Sequence, residues 1–154
     1  MSSLGFNEIL VRLERYCAYQ DRCKYEVLKK IKTIGIEEQS KTQKILQHLI
    51  SSGFLNEERF VESYITGKVS IKKWGTNKIR AGLFEKRIQQ QLIDNGIKKI
   101  DKTLYYNNLN YLFDKKTRGL PRFDSDYRIK SKVMRFLATK GYTLSLIHIW
   151  RCRR

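Results

Sequence analysis

The sequence predicts an all-α protein built from tandem three-helix repeats: three units, the last incomplete, in an elongated array. Three observations predict it. Apolar residues recur at steps of three and four along the chain, while the alternation that strands need is scarce. Proline occurs once, at Pro121, so little interrupts a helix. One pattern occurs three times, as EVLKKIKTIGI (26–36), KIRAGLFEKRI (78–88) and KVMRFLATKGY (132–142). Stacked, these segments place Val27, Ile79 and Val133 in one column, Ile31, Leu83 and Leu137 in a second, and Ile36, Ile88 and Tyr142 in a third. The offsets are 52 and 54 residues throughout, a period that holds three short helices and their turns. The units span 5–54, 55–104 and 105–143.

The first helix is carried by FNEILVRLERYCAYQ, with Phe6, Ile9, Leu10, Leu13, Tyr16 and Cys17 on one stripe. Asp21 is placed to cap the second, which turns Val27, Leu28, Ile31 and Ile34 inward and stops at Gly35. The third carries Ile45, Leu46, Leu49 and Ile50 and stops at Gly53. Asn56 caps the fourth, and Glu57 and Glu58 favour its N-terminal dipole. Leu55 and Phe60 have the spacing of a hydrophobic staple, and Phe60, Val61, Tyr64 and Ile65 form the buried stripe. In the third unit, Asp124 or Ser125 caps the middle helix after Pro121, and Ile129, Val133, Phe136 and Leu137 form its packing face.

The C-terminal LSLIHIWRCRR, residues 144–154, is set apart. It is the translation of a nucleotide run that resembles a transposase sequencing adapter, with TGA read as Trp. We expect a non-native read-through tail, a native chain truncated near Thr143 without its last helix, and little stability lost on removing the tail.

Charge bounds the partner. The chain has 32 Lys and Arg against 15 Asp and Glu, a net +17, and +14 remains without the tail. Such an excess suits a polyanion, since each neutralised phosphate releases counterions. Basicity climbs from +3 in unit one to +5 and +6 in units two and three. No apolar run is long enough to span a bilayer, and MSSLGFNEIL lacks the pattern of a secretory signal. We therefore expect a cytoplasmic protein without a membrane partner. The three cysteines, Cys17, Cys23 and Cys152, match neither a disulfide scaffold nor a zinc knuckle. Neither a metal nor a cofactor is expected.

No Gly-rich phosphate loop, G-x-S-x-G or histidine cluster is present, and the reading is non-enzymatic. Asp124 and Asp126 offer a magnesium-dependent nuclease site or, more simply, a helix cap. The block 68–87 has seven basic residues and one acid, more than capping needs. Lys72, Lys73, Lys78 and Arg80, with Trp74 among them, form a basic shelf. Arg128, Lys132 and Arg135 fall at i, i+4 and i+7 beside the packing face of the third middle helix. These eight residues are the candidate partner or nucleic-acid surface, a solvated charged face being the plain alternative. Asn77, Lys78 and Arg80 near a helix start also admit a helix-turn-helix protein that reads duplex DNA directly.

LNEERFVESYITGK (55–68) resembles the leucine–acid–Arg–Phe–Ala–x–x–Tyr segment of RecX regulatory proteins, with Val61 where alanine is usual. YCAYQDRC (16–23), IKKWGTNKIR (71–80) and RFLATKGY (135–142) also resemble RecX, in the same order, and the likeness covers residues 6–143. It departs at Arg87, where glycine is usual, and at Gly82, where glutamate is common. The resemblance implies an elongated three-repeat helical monomer that binds RecA filaments on single-stranded DNA and modulates RecA ATPase, recombination and coprotease activity. It would act in DNA repair and the SOS response.

Overall fold

A computed structural model of the chain describes residues 4–120 and 125–153. These form helices and turns, with no strand. Unit one comprises α1 (Phe6–Tyr19), α2 (Lys24–Ile34) and α3 (Gln39–Ser51). Unit two comprises α4 (Glu57–Ser70), α5 (Thr76–Glu85) and α6 (Gln90–Lys98), and unit three α7 (Lys102–Thr117), α8 (Tyr127–Thr139) and α9 (Leu144–Arg153). Each unit has its own apolar core.

The repeated pattern is the packing seam of each unit. The first two columns are buried in every unit, and the third is buried at Ile88 and Tyr142 and half-buried at Ile36. The middle helices end alike. The N–H of Ile36, Ile88 and Tyr142 donates to the carbonyl of Ile31, Leu83 and Leu137, at 3.3, 3.2 and 3.2 Å. Such a closure needs a left-handed residue, which is Gly35 (φ 91°), Arg87 (φ 57°) and Gly141 (φ 98°).

Several local expectations are corrected. Asp21 does not cap α2, whose N-cap is Cys23. Its carboxylate accepts from Arg59 Nε–H (2.7 Å) and Ser63 Oγ–H (2.5 Å) across the junction with unit two, because a guanidinium and a hydroxyl outbid one local amide. Asn56 caps α4 as expected. Leu55 and Phe60 do not staple: Leu55 packs in the first core and Phe60 in the second. Phe6 and Ile50 lie exposed at the ends of their stripes. Asp126 caps α8, accepting from the Arg128 N–H at 2.9 Å; Pro121 and Asp124 lie outside the described residues. The segment 144–154, set apart on sequence grounds, forms α9 through residue 153. Thr143 Oγ1 accepts from the Leu146 N–H, and Ile147 is buried in the third core.

Unit two is joined to unit three by backbone bonds between helix ends and by neutral side chains that bond backbone. The Gly75 N–H donates to the Lys140 carbonyl (2.7 Å) and the Asn77 N–H to that of Gly141 (2.9 Å). Tyr105 Oη accepts from the Thr76 N–H, and the Tyr142 hydroxyl donates to the Lys73 carbonyl, each at 2.9 Å. Buried Asn108 donates to the Val69 carbonyl at 2.8 Å, and α4 packs on α7. Burial raises the pKa of both Tyr105 and Tyr142, keeping them as neutral phenols. The approach is close enough that a Cβ on Gly75 would stand 2.3 Å from the Gly141 carbonyl carbon.

Unit one is joined to unit two by side chains. Besides the Asp21 bonds, the Lys24 N–H donates to Glu57 Oε1 (3.2 Å) and Lys86 Nζ to Glu26 Oε1 (2.6 Å). Cys23 is buried in the second core, and Tyr25 packs against it.

Candidate polyanion-binding surface

The predicted basic residues separate into three environments. Lys72 is exposed and shares a groove with Lys68. Lys68 lies in the last turn of α4, where helix carbonyls favour a cation. Its ammonium stands 5.2 Å from the centre of the Tyr64 ring and 4.5 Å from that of Trp74. Lys78 approaches Trp74 at 4.6 Å. Trp74 is half-buried against the second core and engaged by two ammonium groups, so little of its ring is open to a base.

Lys73 and Arg80 are already partnered. Lys73 has a left-handed backbone (φ 55°). Its carbonyl is held by Tyr142, and its ammonium lies 5.1 Å over the Tyr111 ring of unit three. Arg80 is ion-paired with Asp94, whose pKa is lowered chiefly by that bond. Arg128, Lys132 and Arg135 are exposed along α8. Arg128, at its start, is roughly 20 Å by helical rise from the end that meets α5. The eight residues therefore form a belt over two units, not one patch.

The junction of units one and two concentrates charge further. A groove of about 420 Å³ is lined by Glu26 from unit one and by Phe60, Tyr64, Lys68, Lys72 and Lys86 from unit two, among others. A second hollow of about 340 Å³ adjoins it, lined by Tyr16, Tyr25, Lys29 and Lys30 and sharing Glu26 and Lys86. The Glu26–Lys86 pair divides one trough into two basins. Burial opposes the charge on Lys86, yet the Glu26 bond outweighs it and the pKa rises above the ordinary lysine value. Arg22 and Lys30 stand 4.2 and 5.6 Å from the Tyr16 ring, and Arg87 stands 5.5 Å from that of Tyr25. The cations along the trough suit an extended phosphate backbone, while its phenol rings, like the Trp74 ring, are already engaged by cations.

The sequence reading did not single out this trough. Its signal lay inside the repeat, where Lys29 and Lys30 fall between the columns of Val27 and Ile31. Pairing them with Lys68 and Lys72 required the arrangement of the units. A helix that reads a groove presents its N-terminal end to bases. That end of α5 abuts α8, and the geometry does not favour the direct reader. Among the described residues, no group of three or more His, Cys, Asp or Glu is placed to hold a metal.

Two family models match, the second three-helix domain of RecX over residues 56–97 and the third over 104–150. Together they take in more than half of the chain. The chain belongs to the RecX family. Regulatory protein RecX of Clostridium botulinum (strain Alaska E43 / Type E3) is 32% identical over 123 residues, covering 79% of this chain and 57% of that protein. Regulatory protein RecX of Bacillus mycoides is 27% identical over 137 residues, covering 87% and 49%. The chain thus spans about half the length of these RecX relatives. Among solved structures, RecX from Lactobacillus salivarius superposes with a TM-score of 0.82 at 22% identity, over 96% of this chain and 95% of that one. Another crystal structure of regulatory protein RecX gives 0.82 at 23%, over 95% and 72%. These likenesses carry the all-α fold of tandem RecX three-helix domains. The third-domain match reaches residue 150, inside the segment set apart by sequence.

Proposed function

We propose that this chain is a non-enzymatic regulator that binds RecA filaments on single-stranded DNA and inhibits RecA ATPase and recombinase activity. It acts as a cytoplasmic monomer and so regulates DNA repair and recombination. Membership of the RecX family carries the reading. The lysine and tyrosine trough supports it, as a surface suited to a polyanionic filament. Among the described residues, no helix is long and apolar enough to cross a membrane.

The test is single-stranded-DNA-dependent ATP hydrolysis by RecA with the full chain added substoichiometrically. Inhibition that persists under excess single-stranded DNA supports filament action. Inhibition relieved by excess DNA, or no inhibition by folded protein, sinks the reading. Lys68→Glu with Lys72→Glu is expected to weaken inhibition roughly tenfold at unchanged helicity. Lys73→Glu should do less, since Lys73 faces Tyr111.

A further inference from the structure

We propose that unit one is a salt-labile arm, and that a single-stranded nucleic acid lying across the trough locks it against unit two. The arm runs through Leu55, which packs in the first core and donates its N–H to the Leu49 carbonyl. It therefore pivots where the chain leaves that core and enters α4 at Asn56.

Three observations carry the first half. The polar bonds holding unit one are side-chain bonds, two of them ion pairs, Arg59–Asp21 and Lys86–Glu26. Salt screens such pairs where they are partly exposed, as Arg59 and Asp21 are. Glu26, which bonds Lys86 across the junction through Oε1, also has its second oxygen, Oε2, buried without a protein partner. An unpaired buried group penalises the closed form and favours opening. Finally, the main apolar anchor is small, Cys23 with the half-buried Tyr25 beside it.

The second half follows from where the cations stand. Lys29 and Lys30 line the trough from unit one, and Lys68 and Lys72 line it from unit two. With the arm open, the two lysine pairs separate. A continuous phosphate chain contacting both pairs binds the closed form better and shifts the equilibrium toward it. The choice of a nucleic acid over an acidic peptide rests on the lysines along both walls, which suit a chain of phosphates. The Tyr16, Tyr25 and Tyr64 rings already carry cations, as Trp74 does. The locking step rests on the proposed polyanion partner. The arm does not.

The cysteines supply the readout. Cys23 is buried across the junction, Cys17 is buried inside the core of unit one, and Cys152 is exposed. The full chain is alkylated with the neutral reagent N-ethylmaleimide over a salt series, and each thiol is followed by peptide mass spectrometry. Cys152 should react at once. Raising salt should speed Cys23 about fivefold while Cys17 stays protected. Equal protection of Cys23 and Cys17 at all salts, or equal acceleration of both, overturns the arm. Asp21→Ala, folded by circular dichroism, should open the arm at low salt, and oligothymidylate added there should restore Cys23 protection several-fold. Restoration by polyglutamate but not by oligothymidylate, or by neither, overturns the lock. RecA is absent throughout, so failure here is separate from failure of RecA inhibition.

Discussion

Unit two has two neighbours and is joined to them by different chemistry. Toward unit three it presents the N-terminus of α5 to the C-terminus of α8. Orphan amides of one helix meet orphan carbonyls of the other, as helix ends require. The contact between these two helix ends is backbone to backbone, holds opposite dipole ends together and depends on two glycines. The uncharged Tyr105, Tyr142 and Asn108 side chains bond backbone around it. Toward unit one the polar bonds come from side chains, and salt weakens their ionic component. The same repeat thus supports a rigid joint and a yielding one. The difference lies in whether the residues brought face to face are glycines or charged side chains.

The sharpest way to break the rigid joint is to add one carbon. Gly141→Ala puts a Cβ about 2.5 Å from Lys78 Cβ and 2.6 Å from the Lys78 nitrogen, at a φ of 98°. Strain and overpacking combine, and a loss of about 3 kcal/mol or more is expected in urea unfolding. A cost below about 1 kcal/mol would mean that the two units are not welded there.

Next comes the completion of unit three. Ile147 is 1% exposed in the third core, so Ile147→Ala should cost about 2–4 kcal/mol. Deleting 144–154 should cost at least as much, contrary to the small effect expected from sequence. We retain as a proposal that these residues are read-through. Sequencing the source gene across codon 143 tests it, and the same eleven codons in the genome would sink it. The two ideas are compatible: a read-through segment would form a helix where Thr143 caps it and Leu146 and Ile147 fall in phase with an open core.

The yielding joint should give smaller, condition-dependent effects. Asp21→Ala is expected to cost about 0.5–1 kcal/mol at low salt and less at high salt. The carboxylate pKa is lowered by the Ser63 bond first and the Arg59 bond second. A lowered folded-state pKa stabilises fully above the unfolded value, near 3.8. That contribution is lost as pH falls through the folded value below it. Wild-type unfolding between neutral pH and that window should therefore show a component absent from Asp21→Ala. Parallel pH profiles would remove Asp21 from the joint.

These two joints also mark how far the sequence could be read. The columns of Val27, Ile31 and their counterparts were legible because a helix repeats its buried face locally, and three copies reinforce one another. Asp21 was not. Its position beside a helix start is that of a cap, and nothing local shows that Arg59 and Ser63, about forty residues on, compete for it. Leu55 was read with the helix it precedes, but its side chain follows the chain behind it into the first core. The lysines of the belt were visible as charge. Their division between Asp94, Tyr111 and the open trough depends on which helices meet, and that is a tertiary fact.

The smallest effect separates strain from contact at the yielding joint. Arg87 holds the left-handed closure that glycine holds in the other two units, and a Cβ there costs on the order of 1 kcal/mol. Against this, its guanidinium lies 5.5 Å over the Tyr25 ring of unit one, worth roughly 0.5–1 kcal/mol at an exposed site. Arg87→Gly removes both. If backbone strain dominates, the variant unfolds at slightly higher urea concentration, by up to about 0.5 kcal/mol. If the tether dominates, overall stability stays level or falls while Cys23 alkylates faster. Arg87→Ala keeps the strain, loses the tether, and should be less stable than either. A ranking of Arg87→Gly above wild type and wild type above Arg87→Ala would show that unit two accepts a strained closure and recovers most of the cost through its hold on unit one.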